Sequence, residues 1–367
     1  MRASRDLSIW RWFDFFPVEN RASVVSLGEG STPLIPAPRL GAKIGIANLY
    51  LKNDTVLPTG SLKDRSNSVG MSVGRELGFA TASVISTGNA AASVAAYAAA
   101  AGMQSVVMVP KATAPAKILQ AHAYGATVIV VDGRFDYEVA ELYKSAVAEF
   151  GWYDCLSSNP YRVGKKSYAY ELIDQLDGAP PDWVIHPTAG GTGIVCMWQG
   201  FKELQALGWS PRLPKLVAAQ SEAAAPFVAA ITRGSSAIAA VDARETVAES
   251  IQVGNPSVLG DRALAALRES QGTAVALSDG EILEAQALTA KLAGIFAEPA
   301  AATSVAAAKK MRENASIDGD AVVVCHLTGH GLKQPEAIQL TENFTPIAPT
   351  LAALSETLKR SVNGVRP

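Results

Sequence analysis

Short apolar runs rich in β-branched residues alternate with helical stretches through most of this chain, and this alternation restricts its fold more than any other feature. The runs are continuously apolar, as expected of parallel strands that helices cover on both faces. The sequence therefore predicts an α/β protein with two domains, each a mostly parallel sheet with helices on both faces. The predicted strands are residues 48–51, 83–86, 105–109, 127–131, 183–186, 215–219 and 321–326, and the predicted helices are residues 61–77, 90–102, 114–124, 137–150, 164–176, 192–207, 279–292 and 300–312.

The alternation is strictest between residues 80 and 155, which indicates a small domain set within a larger one. The chain has 367 residues, and at about 150 residues per domain this length suits about two domains. We expect a small α/β domain at residues 80–155, inserted into a large domain made of residues 1–79 and 156–350. Residues 232–249 are weakly patterned and are expected at the surface, and residues 351–367 are expected to form a C-terminal tail helix.

Composition and charge exclude several classes of protein. The formal net charge is −2 and the isoelectric point is near 6.1, so the chain has no net positive field with which to hold nucleic acid. Charged residues make up 18% of the chain, below the ~25% of typical soluble domains, which indicates extensive burial. The most apolar stretch, residues 90–103, is shorter than the ~20 residues of a membrane span. We therefore expect neither a nucleic-acid nor a membrane partner.

The aromatic cluster near the N-terminus, residues 9–16, is interrupted by Arg11 and Asp14. It therefore lacks the continuous apolar segment of a secretory signal, and we expect a cytoplasmic protein in which the cluster packs into a domain core. The 3 cysteines form no CxxC pair and the 4 histidines are not clustered, which argues against a disulfide framework and a structural zinc site. We expect each cysteine to be buried as a small apolar residue.

Two segments place polar side chains at the beginnings of predicted helices. Lys63 lies in the first turn of its helix, where the positive end of the helix dipole tends to lower the pKa of an amine. A nucleophilic amine needs a lowered pKa, although this segment alone favours a solvated lysine beside Asp64 and Arg65. Residues 86–89, Ser-Thr-Gly-Asn, precede the alanine-rich helix, where free N–H groups bind carboxylates or phosphates. Considered alone, this corner is typical of a helix N-cap.

Two glycine-rich segments follow predicted strands. Residues 187–193, Pro-Thr-Ala-Gly-Gly-Thr-Gly, join a strand to a helix, and their backbone amides suit a phosphate cradle. The segment matches neither the dinucleotide fingerprint nor the Walker loop, so a phosphate cradle and a plain tight turn are about equally well supported. Residues 325–333 contain His326 and His330, but Gly329 and Gly331 argue against a helix and no third ligand is evident. We expect no metal site there.

The order and the amino-acid sequences of these segments resemble those of the threonine synthase family of pyridoxal-phosphate enzymes. This group also contains tryptophan synthase β and the serine and threonine dehydratases. The resemblance covers nearly the whole chain. It implies two α/β domains with pyridoxal 5'-phosphate in the cleft between them, an amino-acid substrate and a homodimer. The segments that carry it are residues 9–12, 27–34, 59–65, 86–89, 159–162, 187–193, 298–300 and 327–333.

The resemblance also implies roles for individual residues. Lys63 would form the Schiff base with the cofactor aldehyde and then serve as general acid and base. Asn89 would donate a hydrogen bond to the phenolic oxygen of the cofactor, and Thr328 would face its pyridine nitrogen. The remaining implied sites are a cradle for the cofactor phosphate at Gly190, Gly191, Thr192 and Gly193, a substrate-carboxylate site at Ser86, Thr87 and Gly88, and a substrate-phosphate site at Ser157 and Arg162.

The expected reaction converts O-phosphohomoserine and water to threonine and phosphate. Three departures from the usual family pattern concern the substrate: Leu156 stands in place of an amide, the glycine turn lacks asparagines, and the segment after Arg162 is shorter. Lys165 and Lys166 add positive potential nearby, although each alone suits a solvated helix start. The alternatives are β-replacement on O-phosphoserine as in cysteate synthase, a threonine or serine dehydratase, and a non-catalytic phosphometabolite-binding protein.

Overall fold

The strands of the computed structural model form two sheets. The structure describes residues 5–113, 115–133, 138–156, 159–338 and 346–364. In chain order the strands are β1 (Leu34–Pro36), β2 (Asn48–Asn53), β3 (Thr81–Ile85), β4 (Gln104–Pro110), β5 (Thr127–Val131), β6 (Tyr153–Asp154), β7 (Trp183–Pro187), β8 (Lys215–Ser221), β9 (Thr273–Leu277) and β10 (Val322–Leu327).

The larger sheet has six strands in the order β1-β2-β10-β7-β8-β9, and all its pairs are parallel except that β1 runs antiparallel to β2. The smaller sheet has four parallel strands in the order β5-β4-β3-β6. Both sheets lie in one compact unit, Met1–Gln334, and a second unit comprises Pro335–Pro367. The division into a small domain at residues 80–155 and a large domain around it stays a prediction.

Helices follow most strands, as the alternation predicts. No helix in the described ranges is long and apolar enough to span a membrane. The helices are α1 (Pro38–Ile44), α2 (Lys63–Glu76), α3 (Asn89–Ala101), α4 (Pro115–Ala123), α5 (Ala140–Phe150), α6 (Ser167–Gln175), α7 (Thr192–Ala206), α8 (Pro226–Thr232), α9 (Ser257–Glu269), α10 (Asp279–Ala293), α11 (Pro299–Glu313) and, in the second unit, α12 (Leu351–Gly364).

The predicted mostly parallel α/β architecture is confirmed, and every predicted strand is present with bounds shifted by at most a few residues. The strands β1, β6 and β9 and the helices α1, α8 and α9 were not predicted from the sequence pattern. The segment at residues 232–249 is largely irregular, as expected, and the tail helix is present as α12.

Apolar side chains cover the larger sheet on both faces. Val184 and Ile185 are neighbours on β7 but belong to different apolar clusters, and Leu216 and Val217 on β8 divide in the same way. Successive side chains of a strand point to opposite faces, so each cluster fills one side of the sheet. The aromatic cluster near the N-terminus packs into the first of these cores, and all 3 cysteines are free and buried, as predicted.

A fully buried network of charges holds the first turn of α2 against the larger sheet. Arg65 pairs with Asp54 at 2.8 Å and with Glu171 at 2.5 Å, and Lys52 pairs with Glu171 at 2.6 Å. Two cations face two carboxylates, so the network is balanced. Burial acts to raise the pKa of Glu171, but Arg65 and Lys52 outweigh it and lower that pKa. The pairing therefore stabilises the fold at neutral pH and is lost only at acidic pH, below the ordinary carboxyl range.

Glu171→Gln should lower the free energy of unfolding of the cofactor-free protein by about 3–5 kcal/mol, because it leaves two buried cations with a single carboxylate. The control is Glu284→Gln, whose carboxylate pairs with Lys309 at 2.8 Å in a partly exposed position; that variant should change stability by less than about 1 kcal/mol. Denaturant unfolding at neutral pH measures both. Equal losses in the two variants would contradict a structural role for the buried network.

Candidate active site

Lys63 is the first residue of α2, and its side chain lines a cavity at the carboxyl ends of β7 and β10. The helix start is fixed on several sides. The Leu62 N–H donates to the Thr328 carbonyl at 2.8 Å, and Asp64 accepts from the backbone and the hydroxyl of Thr59 at 2.7 and 2.6 Å. Together with the anchored Arg65, these bonds fix the position from which the amine enters the cavity.

The environment of Lys63 favours its neutral amine. Burial is the largest influence and lowers the pKa of Lys63. The carboxylate of Glu298 acts to raise this pKa and the guanidinium of Arg162 acts to lower it, and the net shift is downward. A lowered pKa leaves more of the amine neutral at physiological pH, as a nucleophile or a general base requires. Lys63 is partly buried, and Asp64 and Arg65 beside it are fully buried, so this helix start is not a fully exposed one.

The glycine turn between β7 and α7 forms one wall of the cavity, where Gly190, Gly191, Thr192 and Gly193 line it. Gly191 has a φ of +92°, a conformation that favours glycine. A Cβ atom at position 193 would lie 1.9 Å from Nε2 of His186, so only glycine fits there. The turn leads into the N-terminus of α7, whose first N–H groups have no partner within the helix and suit an anion.

Two more basic side chains line the same cavity. Arg162 and Lys165 are 7% and 6% exposed, and among the cavity-lining residues of the described chain there is no carboxylate. Burial lowers the pKa of Lys165 well below its ordinary value, and Lys63 and Arg162 lower it further. An anion in this partly desolvated space would favour the charged forms of these basic groups, so the cavity is suited to an anionic ligand.

The expectation that Lys165 and Lys166 lie in a solvated helix start is wrong. The short 3₁₀ helix Val163–Lys166 packs closely against α2: a Cβ atom at Gly164 would lie 1.8 Å from the Arg65 carbonyl oxygen. Lys166 is 4% exposed and pairs with Glu203 at 2.9 Å. Lys165 instead reaches the cavity, so the two neighbouring lysines have different environments.

The other predicted site residues lie close to the turn before α3 or to the end of β10. Asn89 is the first residue of α3, and its amide donates to the carboxylate of Glu298 at 3.0 and 3.2 Å. The segment Ser86, Thr87 and Gly88 connects β3 to α3 beside it, and the residue after Asn89 lines the cavity. Thr328, directly after β10, also lines it. Ser157 lies outside the described residues.

Sequence reasoning missed three polar residues that also line the cavity: Ser66, His186 and Ser250. In the sequence, His186 is visible only as the end of a strand. Its Nδ1 lies 2.7 Å from Nδ1 of His326, and burial lowers the pKa of His186 to about 3 and that of His326 well below its ordinary value. Both rings are therefore neutral at physiological pH. Within the described ranges no cluster of three metal-ligating side chains occurs.

The donor set of this cavity fits pyridoxal phosphate. In the described chain Nε of Arg162 and Oγ of Ser66 are buried polar atoms without a hydrogen-bond partner. The glycine turn would hold a phosphate group, and the Lys63 amine would bond to an aldehyde. An anionic aldehyde cofactor therefore matches the charge, the free donors and the nucleophile of this cavity.

Known proteins are similar to this chain over almost its whole length. The family model described as "Pyridoxal-phosphate dependent enzyme" matches residues 25–329. The threonine synthase of Methanocaldococcus jannaschii is 41% identical over 358 residues, covering 97% of this chain and 88% of that protein. The threonine synthase of Methanosarcina acetivorans is 41% identical over 354 residues, covering 96% of this chain and 86% of that protein.

Solved structures show the same fold at lower sequence identity. The processed form of threonine deaminase isoform 2 from Solanum lycopersicum has a TM-score of 0.74 and 20% identity, covering 91% of this chain and 94% of that chain. Maize serine racemase has a TM-score of 0.71 and 20% identity, covering 91% of this chain and 93% of that chain. On its sequence, the chain belongs to the pyridoxal-phosphate dependent enzymes and, within them, to the threonine synthase family.

Proposed function

We propose that this protein is a threonine synthase that converts O-phosphohomoserine and water to threonine and phosphate. The observation that carries the proposal is a single cavity where a lysine of lowered pKa, two further basic side chains and a glycine turn converge without a lining carboxylate in the described chain. Such a cavity has donors for two phosphate groups, one on the cofactor and one on the substrate. The names of the relatives at 41% identity support the same activity.

The chain would supply positioning groups on several sides of the cofactor. When bound, pyridoxal phosphate supplies an electron sink for charge that develops on the substrate carbons. The Lys63 amine would bond to the cofactor and, once released by the substrate amine, would carry protons to and from those carbons. The turn from Gly190 to Gly193 would hold the cofactor phosphate, Asn89 would donate to the phenolic oxygen, and Thr328 would place its hydroxyl at the pyridine nitrogen.

The substrate would lie between the start of α3 and the cations of the cavity. Ser86, Thr87 and Gly88 would hold its carboxylate with short donors near a helix N-terminus. Arg162 would hold its phosphate together with Ser157, and a bound phosphate would favour the charged form of Lys165 in the same cavity. The phosphate of the substrate, the homodimer and the cytoplasmic location stay predictions.

Arg162→Met should raise the KM for O-phosphohomoserine by about 10- to 100-fold, because a charged hydrogen bond contributes about 1.5–3 kcal/mol. Methionine keeps the packing of the Arg162 side chain against Gly70 while removing the charge. Steady-state kinetics with saturating cofactor measure the change, and the exposed Arg233→Met is the matched control. An unchanged KM in Arg162→Met would contradict the proposal that this residue binds the substrate phosphate.

The activity itself is tested by the products formed from different substrates. Purified protein with pyridoxal phosphate and O-phosphohomoserine should release threonine and phosphate in equal amounts. Cysteate formed from O-phosphoserine and sulfite would instead support a β-replacement enzyme, and 2-oxobutyrate with ammonia formed from threonine would support a dehydratase. A protein that stays colourless after incubation with pyridoxal phosphate would support the non-catalytic binding protein. Each of these three outcomes, without threonine formation, overturns the proposal.

A further inference from the structure

Glu298 is a buried carboxylate next to the cavity that has no part in the proposed reaction. It precedes Pro299 at the start of α11 and is 3% exposed. Its two oxygens accept from the Asn89 amide nitrogen at 3.0 and 3.2 Å, and Oε1 also accepts from the Ser250 hydroxyl at 3.0 Å. One carboxylate therefore joins α3, which follows the smaller sheet, to two segments that pack with the larger sheet.

The contact fixes which end of the Asn89 amide faces which neighbour. An asparagine side chain ends in an acceptor oxygen and a nitrogen with two hydrogens, and a half-turn exchanges them. A carboxylate only accepts, so it selects the rotamer in which the nitrogen faces Glu298. The nitrogen still has a second hydrogen to donate elsewhere.

We propose that Glu298 is a positioning residue that holds the Asn89 amide so that it donates to the phenolic oxygen of the cofactor. The inference rests on the proposed role of Asn89 in the function above and goes beyond it by naming the group that orients this donor. Without Glu298 the amide would be free to turn its carbonyl toward the phenolic oxygen, where two acceptors would oppose each other.

The local packing keeps Glu298 in place. A Cβ atom at Gly329 would lie 2.5 Å from both Cδ and Oε1 of Glu298, so the carboxyl group lies directly against this glycine. The Glu298 N–H also donates to the Gly329 carbonyl at 2.9 Å. The segment after β10 therefore leaves the Glu298 carboxylate little space to move away from Asn89. A methyl group added at position 329 would displace this carboxylate without removing its charge.

Glu298 also acts on Lys63 through its charge. Of the groups that influence the pKa of Lys63, burial is the largest and lowers it, while Glu298 opposes burial and raises it. Removing this charge should lower the pKa of Lys63 further. A change of charge alone therefore alters the pKa of Lys63, whereas loss of the Asn89 contact alters the affinity and the spectrum of the bound cofactor. The two effects can be measured separately.

The test is a double-mutant cycle of Glu298→Gln and Asn89→Ala, with the dissociation constant and the absorption spectrum of bound pyridoxal phosphate as readouts. Glu298→Gln should weaken cofactor binding about tenfold, the value of one hydrogen bond of ~1.4 kcal/mol. It should also move part of the absorbance from the visible band to the near-ultraviolet band, because a glutamine amide both accepts and donates and no longer selects the Asn89 rotamer that donates to the phenolic oxygen. In the Asn89→Ala background the same change should alter binding by less than about twofold, since coupled residues are not additive.

Glu313→Gln is the matched control, because Glu313 ends the same helix and its carboxylate is 63% exposed. It should leave the dissociation constant and the spectrum unchanged. Gly329→Ala displaces the Glu298 carboxyl without removing its charge and should reproduce the spectral change. The inference is overturned if Glu298→Gln keeps the parental spectrum and affinity, or if its effect is equally large without Asn89. A parental protein that takes up no pyridoxal phosphate overturns the proposed function instead.

Discussion

Lys63→Ala should abolish threonine formation, with kcat lowered by more than about 10³-fold. The variant loses the amine that bonds to the cofactor and the group that moves protons at the substrate carbons, and general acid–base catalysis alone contributes about 10²–10⁴-fold. Lys165 also lines the cavity, but it enters from a different element and should not replace Lys63 in both roles. Product assays at saturating substrate and cofactor measure the loss.

The fold should survive this substitution. Lys63 is not part of the buried charge network that holds α2, so the stability of Lys63→Ala should stay close to that of the parent. Its bound cofactor should be removable by dialysis, because only the glycine turn and the hydrogen-bonding side chains would retain it. Lys43→Ala, an exposed lysine of α1, is the control and should keep full activity. Activity within tenfold of the parent in Lys63→Ala would contradict the assignment.

Gly193→Ala should both destabilise the protein and weaken its affinity for pyridoxal phosphate. The added methyl group would lie 1.9 Å from Nε2 of His186. Nδ1 of the same ring is hydrogen-bonded to Nδ1 of His326 at 2.7 Å. Overpacking of this kind costs about 1–3 kcal/mol, and a displaced glycine turn no longer presents its N–H groups together. We expect a lower melting temperature and a cofactor dissociation constant raised by at least about tenfold.

Gly280→Ala separates this steric effect from the general effect of replacing glycine. Gly280 lies in the first turn of α10, where a Cβ atom would meet no atom within 4 Å. Its replacement should leave the stability unchanged or raise it by about 0.4–1 kcal/mol. The double variant His186→Ala with Gly193→Ala should lose less stability than the sum of the single variants, because the first change makes space for the second. Additive losses would contradict the proposed clash.

The architecture was predictable wherever strand and helix were long enough to show their pattern. Parallel strands such as β7 and β8 are covered on both faces and therefore appear as continuous apolar runs. The missed strands β1 and β6 have 3 and 2 residues, too few to show any period. The missed β9, Thr-Ala-Val-Ala-Leu, gains its strand conformation from pairing with β8, a tertiary contact that its alanines do not indicate.

The site was predictable where the chemistry is carried by a local motif. Lys63 at a helix start and the glycine turn are both visible as short segments, and the structure brings them to one cavity. The burial of Lys165 was not predictable, because it depends on how closely Gly164 lets its segment approach α2. Glu298 is visible in the sequence only as part of a motif, since its contact with Asn89 spans 209 positions of sequence.

The most direct test of this account is to find which lysine binds the cofactor, because both Lys63 and Lys165 line the cavity. The protein loaded with pyridoxal phosphate is reduced with borohydride and digested, and the masses of its peptides are measured by mass spectrometry. We expect a cofactor adduct on the peptide that contains Lys63, and neither an adduct nor, after dialysis, a visible band in Lys63→Ala. An adduct on Lys165, or a protein that binds no cofactor covalently, would contradict it.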